Sequence, residues 1–177
     1  HCLAVAIFTQ SITSRVKADR EESDISYLAG LMHDVGIAVF MYLIPDEYSA
    51  FLRDKRNDEV PLEKAEKAFF GIDHAELGAL FVDKWWDIDE RVICAIQYHH
   101  FPFEGVEQER HREQVVHIAN GICNSQGIDN GTGFVTEVFR DGAWESLNLS
   151  LTDVEDILND VHNAFEQAQE LISFSSS

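Results

Sequence analysis

Apolar residues recur every three to four positions along most of the chain, which is typical of helices that pack against a core. The pattern predicts one helix from about Leu3 to Lys17 and a second, strongly apolar helix from Asp24 to about Leu43. Pro45 is expected to end the second helix, because proline lacks the amide hydrogen that a helix interior uses. A short amphipathic helix is then predicted from Asp46 to Lys55.

Capping and stop signals predict three helices in the middle of the chain. Pro61 suits a first helical turn, and Gly71 suits a helix end. Asp73 and Asp89 each precede an apolar periodic segment, and aspartate is a preferred N-cap residue. The predicted helices cover residues 61–70, 74–85 and 90–100, and Pro102 stops the last one.

The final third of the chain is less regular. A helix is expected from Glu107 to Ser125, with Gly127 as its stop. Glycines then cluster, and residues 134–139 are aromatic and β-branched, so a short β-hairpin near 133–145 and a loop over the helical core both fit. A capping box at 152–155 predicts a last helix. The whole chain, residues 1–177, is interpreted as a single all-α domain built as a helical bundle.

Composition narrows the range of partners. Hydrophobic residues make up 45% of the 177 residues and charged residues 25%, which is ordinary for a globular protein. The formal net charge of −19 repels phosphate backbones and anionic headgroups, which argues against nucleic acid and membrane surfaces as partners. A phosphorylated small molecule stays compatible, because bound divalent metals would reverse the local field.

The cysteines and the termini bear on the compartment. The three cysteines, Cys2, Cys94 and Cys123, are odd in number and lie in apolar helical segments, so no disulfide framework is predicted and a reducing cytoplasm is favoured. No apolar run approaches the length of roughly 20 residues that is needed to span a bilayer, and no signal-peptide pattern is seen. Because the chain begins with His1 rather than methionine, a preceding part of the full protein is expected to be missing.

Five histidines and one aspartate interrupt otherwise apolar segments, which is costly in a core unless each group is paired or bound. Divalent first-row metals favour imidazole and carboxylate ligands, and a carboxylate can bridge two ions. Asp34 can therefore reach between two ions while its neighbour His33 binds one. Gly36 and Gly78 would permit close helix approach around such a site. The six residues are His1, His33, Asp34, His74, His99 and His100.

Structural readings compete with this metal hypothesis. His33 and Asp34 can form a buried ion pair that closes two helices. The doublet His99-His100 can complement the dipole at a helix C-terminus. His117 is interpreted as a hydrogen-bonded structural histidine. The aromatic doublets at 69–70 and 85–86 are interpreted as core and helix-junction packing.

Four segments carry a family resemblance. Residues 28–36 read LAGLMHDVG, 74–78 read HAELG, 95–100 read AIQYHH, and 116–120 read VHIAN. With these segments the chain resembles the HD superfamily of metal-dependent phosphohydrolases, and in particular its HDOD branch of bacterial signalling domains. The resemblance runs from His1 through about Cys123. It implies an HD-like helical bundle with a metal site.

The resemblance also implies two ligand sets. His1, His33 and Asp34 would hold one metal, as the family's first histidine falls at His1. Asp34 would share a second metal with the histidines at 74, 99 and 100, as in the related HD-GYP enzymes. One or two divalent ions are expected, and iron, manganese, zinc and nickel are all compatible with imidazole-rich sites.

Three departures weaken the catalytic reading. The family's last ligand, an aspartate, is replaced by Asn120, whose amide oxygen is neutral and a weaker ligand. The lysine that often follows the family's His-Asp-x-Gly is Ile37, which removes a cation for phosphate. No Gly-Tyr-Pro follows His100, so activity on cyclic dinucleotides is not implied.

Two functions follow from the resemblance. The favoured one is a regulatory signal-transduction domain, metal-binding but with weak or no catalysis, that acts through a protein partner or another domain of a pathway. The alternative is an active two-metal phosphohydrolase acting on phosphomonoesters or phosphodiesters, in which Asp34 is the catalytic residue.

Overall fold

The computed structural model describes residues 1–55, 59–105, 110–134, 139, 142–150, 152–161 and 163. Within these residues the elements are helical and no strand occurs, which confirms the all-α prediction. Of the segment 133–145, for which a hairpin or a loop is predicted, residues 135–138, 140 and 141 lie outside them, and the described residues 143–145 belong to a short helix. The helices are α1 Cys2–Arg15, α2 Arg20–Met32, α3 Val35–Leu43, α4 Pro45–Lys55, α5 Leu62–Phe70, α6 His74–Trp85, α7 Glu90–Tyr98, α8 Arg110–Ser125 and α9 Ala143–Ser146. Residues 152–161 are also helical.

The second predicted helix is in fact two helices. Asp34 has φ −96° and ψ 13°, outside the helical region, so the hydrogen-bond ladder breaks there and α3 starts at Val35. The break places His33 at the end of α2 and Asp34 at the start of α3. The single helix predicted from Asp24 to Leu43 is therefore wrong at its centre, where the two polar residues lie.

The caps of α6 and α7 confirm their predicted starts. The Asp73 carboxylate accepts the backbone N–H of Glu76, whose own carboxylate accepts the N–H of Asp73, forming a capping box. Asp89 likewise accepts the N–H of Arg91 at the start of α7. Gly71 has φ 79°, the left-handed conformation that ends α5.

Two predicted starts shift. Pro61 is the N-cap of α5, one position before its first turn. The capping box predicted at 152–155 lies two residues earlier. There the Asp153 carboxylate accepts the Ser150 N–H at 2.8 Å, and the Ser150 hydroxyl accepts the Asp153 N–H at 3.2 Å. The Val154 N–H also donates to the Ser150 carbonyl at 3.1 Å, so the helix is capped at Ser150 rather than at Thr152.

Buried side chains form three clusters. The first joins α1, α8, α9 and residues 152–161. The second joins α2, α6, α7 and α8, and the third joins α3, α4 and α5 with Phe134. Because α2 and α3 belong to different clusters, the break at Asp34 falls where two parts of the core meet. Representative members are Phe8, Ile12 and Ile118 in the first, Val82, Val92 and Ile96 in the second, and Phe40, Tyr48 and Phe51 in the third.

Two adjacent glycines hold α3 against α6. A Cβ added at Gly36 would lie 1.8 Å from the backbone oxygen of His74 and 2.8 Å from the backbone nitrogen of Gly78. A Cβ at Gly78 would in turn lie 2.9 Å from the Gly36 nitrogen. The two backbones therefore touch directly. This contact brings the first residue of α6 close to Asp34, as the close-approach prediction for these glycines requires.

Exposed apolar side chains qualify two expectations. Phe70 packs in the third cluster, but Phe69, Trp85 and Trp86 are 60%, 66% and 45% exposed, so the predicted packing of the doublets holds for one residue of the four. Together α2 and α3, Arg20–Leu43, are 24 residues long and apolar enough to span a membrane by length and composition. That test is met equally by core helices of soluble proteins, and this stretch is broken at Asp34 and contributes to two core clusters.

Candidate metal centre

Six of the predicted ligand residues lie at helix ends, whereas the seventh, Asn120, lies within α8. His1 precedes α1, His33 and Asp34 lie between α2 and α3, and His74 is the first residue of α6. His99 follows the last residue of α7, and His100 comes next. A side chain at a helix end is not confined to the packed face of the helix, so residues from five helix ends can converge on one point. The core around them leaves His33 and His99 with no exposed surface.

Asp34 lies at the centre of the convergence. Its Oδ2 lies 3.6 Å from His1 Nε2 and 3.4 Å from His33 Nε2. Its Oδ1 lies 3.4 Å from His74 Nε2 and 3.8 Å from His99 Nε2. Each carboxylate oxygen therefore faces its own pair of imidazoles. The Asp34 carboxylate makes no capping bond to α3, although it is the N-cap residue, so it is directed at the histidines instead.

The Nδ1 atoms are held away from this point. His1 Nδ1 donates to the Ile128 carbonyl at 2.6 Å, and His33 Nδ1 donates to the Gly30 carbonyl at 2.8 Å. His99 Nδ1 donates to the Ile96 carbonyl at 2.7 Å. A proton fixed on Nδ1 leaves Nε2 of a neutral imidazole with its lone pair free. This is the tautomer of a histidine that binds a metal through Nε2.

The inward nitrogens lack partners, which tests the metal hypothesis. Nε2 of His1, His33 and His99 is buried, and none has a hydrogen-bond partner among the described residues. A single buried, unpaired polar atom costs about 1–3 kcal/mol. Three such atoms directed at one carboxylate fit a divalent cation, because imidazole nitrogens and carboxylate oxygens are the ligands that these metals take.

The histidines fall into two groups that share Asp34. The first group is His1, His33 and Asp34, and the second is Asp34, His74, His99 and His100. The Nε2 atoms of His74 and His100 lie 2.9 Å apart, a separation that suits two ligands of one ion. One ligand atom from each of Asp34, His74, His99 and His100 lies within 4.8 Å of the others, and the same holds for the group of His1, His33 and Asp34. The structure thus brings the predicted residues together in two groups that share Asp34. Their role as ligands stays a prediction.

Burial and neighbouring charged groups shift the pKa values of the residues in the centre. Burial raises the pKa of the Asp34 carboxyl, but the neighbouring His33 and His74 outweigh it and hold that pKa well below its usual range. Burial lowers the pKa of His74, yet Glu66 and Asp34 raise it well above the usual value. Burial, followed by the neighbouring histidines, lowers the pKa of His99 and His100. Asp34 is therefore an anion, and the two last histidines are neutral, the form that binds metal.

Asn120 lies beside the second group, and its side chain is hydrogen-bonded to a neighbour on α8 rather than to a histidine of the centre. Its Oδ1 accepts a hydrogen bond from Asn124 Nδ2 at 3.0 Å, one helical turn along α8. Both side chains line a cavity of about 20 Å³ next to the histidines. His117 donates from Nδ1 to the His99 carbonyl at 2.8 Å, in agreement with its interpretation as a structural histidine.

Three residues at the centre were missed in the sequence. Glu66 and Tyr48 support His74 from behind, and Asn130 donates from Nδ2 to Asp34 Oδ2 at 3.1 Å. Glu66 had a usable signal, since it lies four residues after Leu62 and four before Phe70, on the apolar face of α5. Asn130 had none, because it reaches Asp34 from a loop 96 positions away.

Comparison with known proteins identifies the family of this chain. The sequence model of the HDOD domain matches residues 1–102, more than half of the chain. The chain belongs to the HDOD domain family. An uncharacterized protein of Treponema pallidum (strain Nichols) is 29% identical to this HDOD domain over 75 residues, which are 42% of the chain and 14% of that relative. The matched residues therefore span only a small part of that relative's length.

Solved structures show the same fold. An HDOD domain protein of unknown function from Geobacter sulfurreducens has a TM-score of 0.73 at 22% identity, over 94% of this chain and 58% of that one. A Marinobacter aquaeolei protein provisionally assigned to signal transduction has a TM-score of 0.70 at 16% identity, over 99% and 38%. A Shewanella amazonensis protein provisionally assigned as a phosphohydrolase has a TM-score of 0.55 at 19% identity, over 90% and 61%. At these identities the likeness concerns the fold.

Proposed function

We propose that this HDOD domain is a regulatory signal-transduction module whose metal centre is structural or sensory, with weak or no hydrolytic activity. The observation that carries the proposal is the closure of the centre. The space beside His74 and His100 is about 20 Å³. A void of that size holds about one water molecule, whereas small-molecule sites occupy roughly 300–1,000 Å³.

The lining of this cavity supports the same function. No lysine or arginine is among its lining residues in the described part of the chain. Ile37, which stands where the family often has lysine, packs against the third core cluster instead. A phosphoester would therefore meet no lysine or arginine side chain there. The lining residues are Leu62, Glu63, His74, His100, Asn120, Asn124, Asn130, Thr132 and Phe134.

Iron, manganese, zinc and nickel remain the candidate metals, since imidazole-rich sites accept all four. The residues proposed to hold them are those of the two groups around Asp34. A protein partner, or another domain of the same protein, is proposed to read the state of the module, in the cytoplasm. Residues 1–177 are proposed to form one domain.

The second candidate is an active phosphohydrolase, and the geometry of Asp34 favours it. Its two oxygens face separate imidazole groups, the arrangement of a carboxylate that bridges two ions. Two ions at such a centre would act as Lewis acids on a phosphoryl oxygen. The chain's own contribution would be to orient those ions through His33 and His74 and to keep bulk water out by burial.

Hydrolysis assays separate the two candidates. Protein reconstituted with Mn²⁺ or Fe²⁺, with bound metal measured by elemental mass spectrometry, is tested on p-nitrophenyl phosphate and bis-p-nitrophenyl phosphate. We expect bound metal and no turnover above that of Asp34→Asn. Turnover that needs the added metal and is lost in Asp34→Asn would replace the regulatory function with the phosphohydrolase.

Asn120→Asp should strengthen metal binding. A carboxylate adds a negative charge where the family has one, and its oxygen can still accept the bond from Asn124. We expect an affinity gain of about tenfold or more for one ion, which corresponds to about 1.4 kcal/mol. Isothermal titration with Mn²⁺ measures it. Asn148→Asp, an exposed site with the same change of charge, is the control. Equal affinities in the two variants would mean that Asn120 is not a ligand position.

A further inference from the structure

Glu66 is a carboxylate with no exposed surface, and both of its oxygens are engaged. Its Oε1 accepts a short hydrogen bond from the Tyr48 hydroxyl. Its Oε2 accepts the backbone N–H of His74 at 2.8 Å and the Nδ1–H of the same residue at 2.6 Å. Burial and the charge of Glu66 raise the pKa of Tyr48, so its hydroxyl remains a donor. Tyr48 thus anchors Glu66, and Glu66 holds His74.

This support distinguishes His74 from the other histidines of the centre. Nδ1 of His1, His33 and His99 donates to a neutral backbone carbonyl. A hydrogen bond to an ionised acceptor is about twice as strong as a neutral one. A carboxylate behind a ligand histidine also fixes its ring and raises the basicity of the other nitrogen. Nε2 of His74 should therefore be a better ligand than Nε2 of His1, His33 or His99.

Helix capping does not account for Glu66. Its bond to the His74 N–H does satisfy one donor at the start of α6, but Asp73 and Glu76 already form the capping box of that helix. The second bond, to the His74 ring, has no capping role. A capping residue would also need no tyrosine to fix its far oxygen.

Charge makes the two ligand groups unequal. The group of His74, His99 and His100 has two nearby carboxylates, the shared Asp34 and the supporting Glu66. Among the described residues, Asp34 is the only carboxylate that groups with His1 and His33. The charge of a divalent cation is therefore better neutralised in the group of His74, His99 and His100 than in the group of His1 and His33.

We propose that Glu66, anchored by Tyr48, is the positioning residue of His74 and makes the Asp34–His74–His99–His100 group the tighter of the two metal sites. This rests on the metal centre of the proposed function. It adds an order of filling: the first ion enters the group that Glu66 supports, and the group of His1 and His33 fills later.

Cobalt titration tests the proposal, because the visible absorption of Co²⁺ reports both affinity and ligand geometry. Three variants are compared with the wild type. Glu66→Gln keeps the shape but loses the charge. Tyr48→Phe keeps the charge and removes only the anchor. Glu90→Gln removes an exposed charge at the start of α7. Circular dichroism and thermal melts establish that each variant is folded.

In Glu66→Gln we expect the first Co²⁺ to bind about 10–100-fold more weakly, as for other outer-shell partners, with a shifted absorption band. Tyr48→Phe should lie between this variant and the wild type, and Glu90→Gln should match the wild type. A loss in Tyr48→Phe cannot come from charge alone, so it supports positioning even if Glu66→Gln does not fold.

The contrary outcomes are distinguishable. Tight binding of Co²⁺ by the wild type with no change in Glu66→Gln or Tyr48→Phe would overturn the positioning role alone. Weakening of only the second ion would overturn the order of filling. Failure of the wild type to bind Co²⁺ would overturn the metal centre itself, and with it both proposals.

Discussion

Asp34→Asn is expected to lose metal from both groups while keeping the fold. The substitution preserves the shape of the side chain and removes the one carboxylate that faces four imidazole nitrogens at 3.4–3.8 Å. Loss of an outer-shell partner already costs about 10–100-fold in affinity, so loss of a shared ligand should cost at least about 100-fold. Elemental mass spectrometry should find one to two equivalents of metal in the wild type and none in the variant.

Thermal stability gives an independent measure of the same change. A metal present at 100 times its Kd stabilises the folded wild type by about 2.7 kcal/mol, and the variant should gain nothing from the same addition. Asp83→Asn, at an exposed position of α6, is the matched control and should behave as the wild type does. If Asp34→Asn kept its metal, the groups around Asp34 would not be the binding site.

Gly36→Ala is expected to cost about 3 kcal/mol or more in the free energy of unfolding, at the upper end of overpacking. The new Cβ would lie 1.8 Å from the His74 oxygen, and neither that backbone nor the adjoining nitrogen of Gly78 can rotate away. The helices α3 and α6 would have to separate. Since that contact places His74 beside Asp34, the variant should also bind metal more weakly. Urea denaturation and a Co²⁺ titration measure the two effects.

Gly71→Ala separates crowding from backbone strain. Gly71 has φ 79°, and nothing lies within 4 Å of an added Cβ. Its substitution should cost only about 1–2 kcal/mol, the penalty of the left-handed conformation for a residue with a side chain, and should leave metal binding unchanged. Equal destabilisation by both substitutions would show that the close approach at Gly36 is not what fixes the two helices.

Periodicity and caps predicted most of the fold. The bounds of α6 were predicted to the residue, and its start follows from the N-cap residue Asp73. The ligand residues could be named for a similar reason, because a histidine on an apolar segment is conspicuous. Their convergence could not be derived from spacing. It depends on the contact of α3 with α6 and on the break at Asp34. The break could not be predicted, because the apolar periodicity continues on both sides of it.

Local sequence rules failed where the sequence is compatible with two different orientations or environments of a side chain. Neighbouring residues on a helix point about 100° apart, so on the amphipathic helix α5 only one ring of the doublet Phe69-Phe70 packs against the core. The sequence does not say which one turns outward. The position of Glu66 on the apolar face of α5 indicates burial, but the sequence does not show that Tyr48 and His74 are its partners. Asn130 depends on a loop whose path no short-range signal describes.

The bond between His1 and Ile128 bears on where this protein can be cut. The family match ends at residue 102, yet the imidazole of the first residue is held by a carbonyl 127 positions later. The apolar face of α1 is likewise covered by α8, α9 and residues 152–161. A shortened chain that stopped at residue 102 would keep five histidines and Asp34 but uncover Phe8 and Ile12. The region matched by the family model is thus smaller than the packed core that contains α1, and expression boundaries should include α8, α9 and residues 152–161.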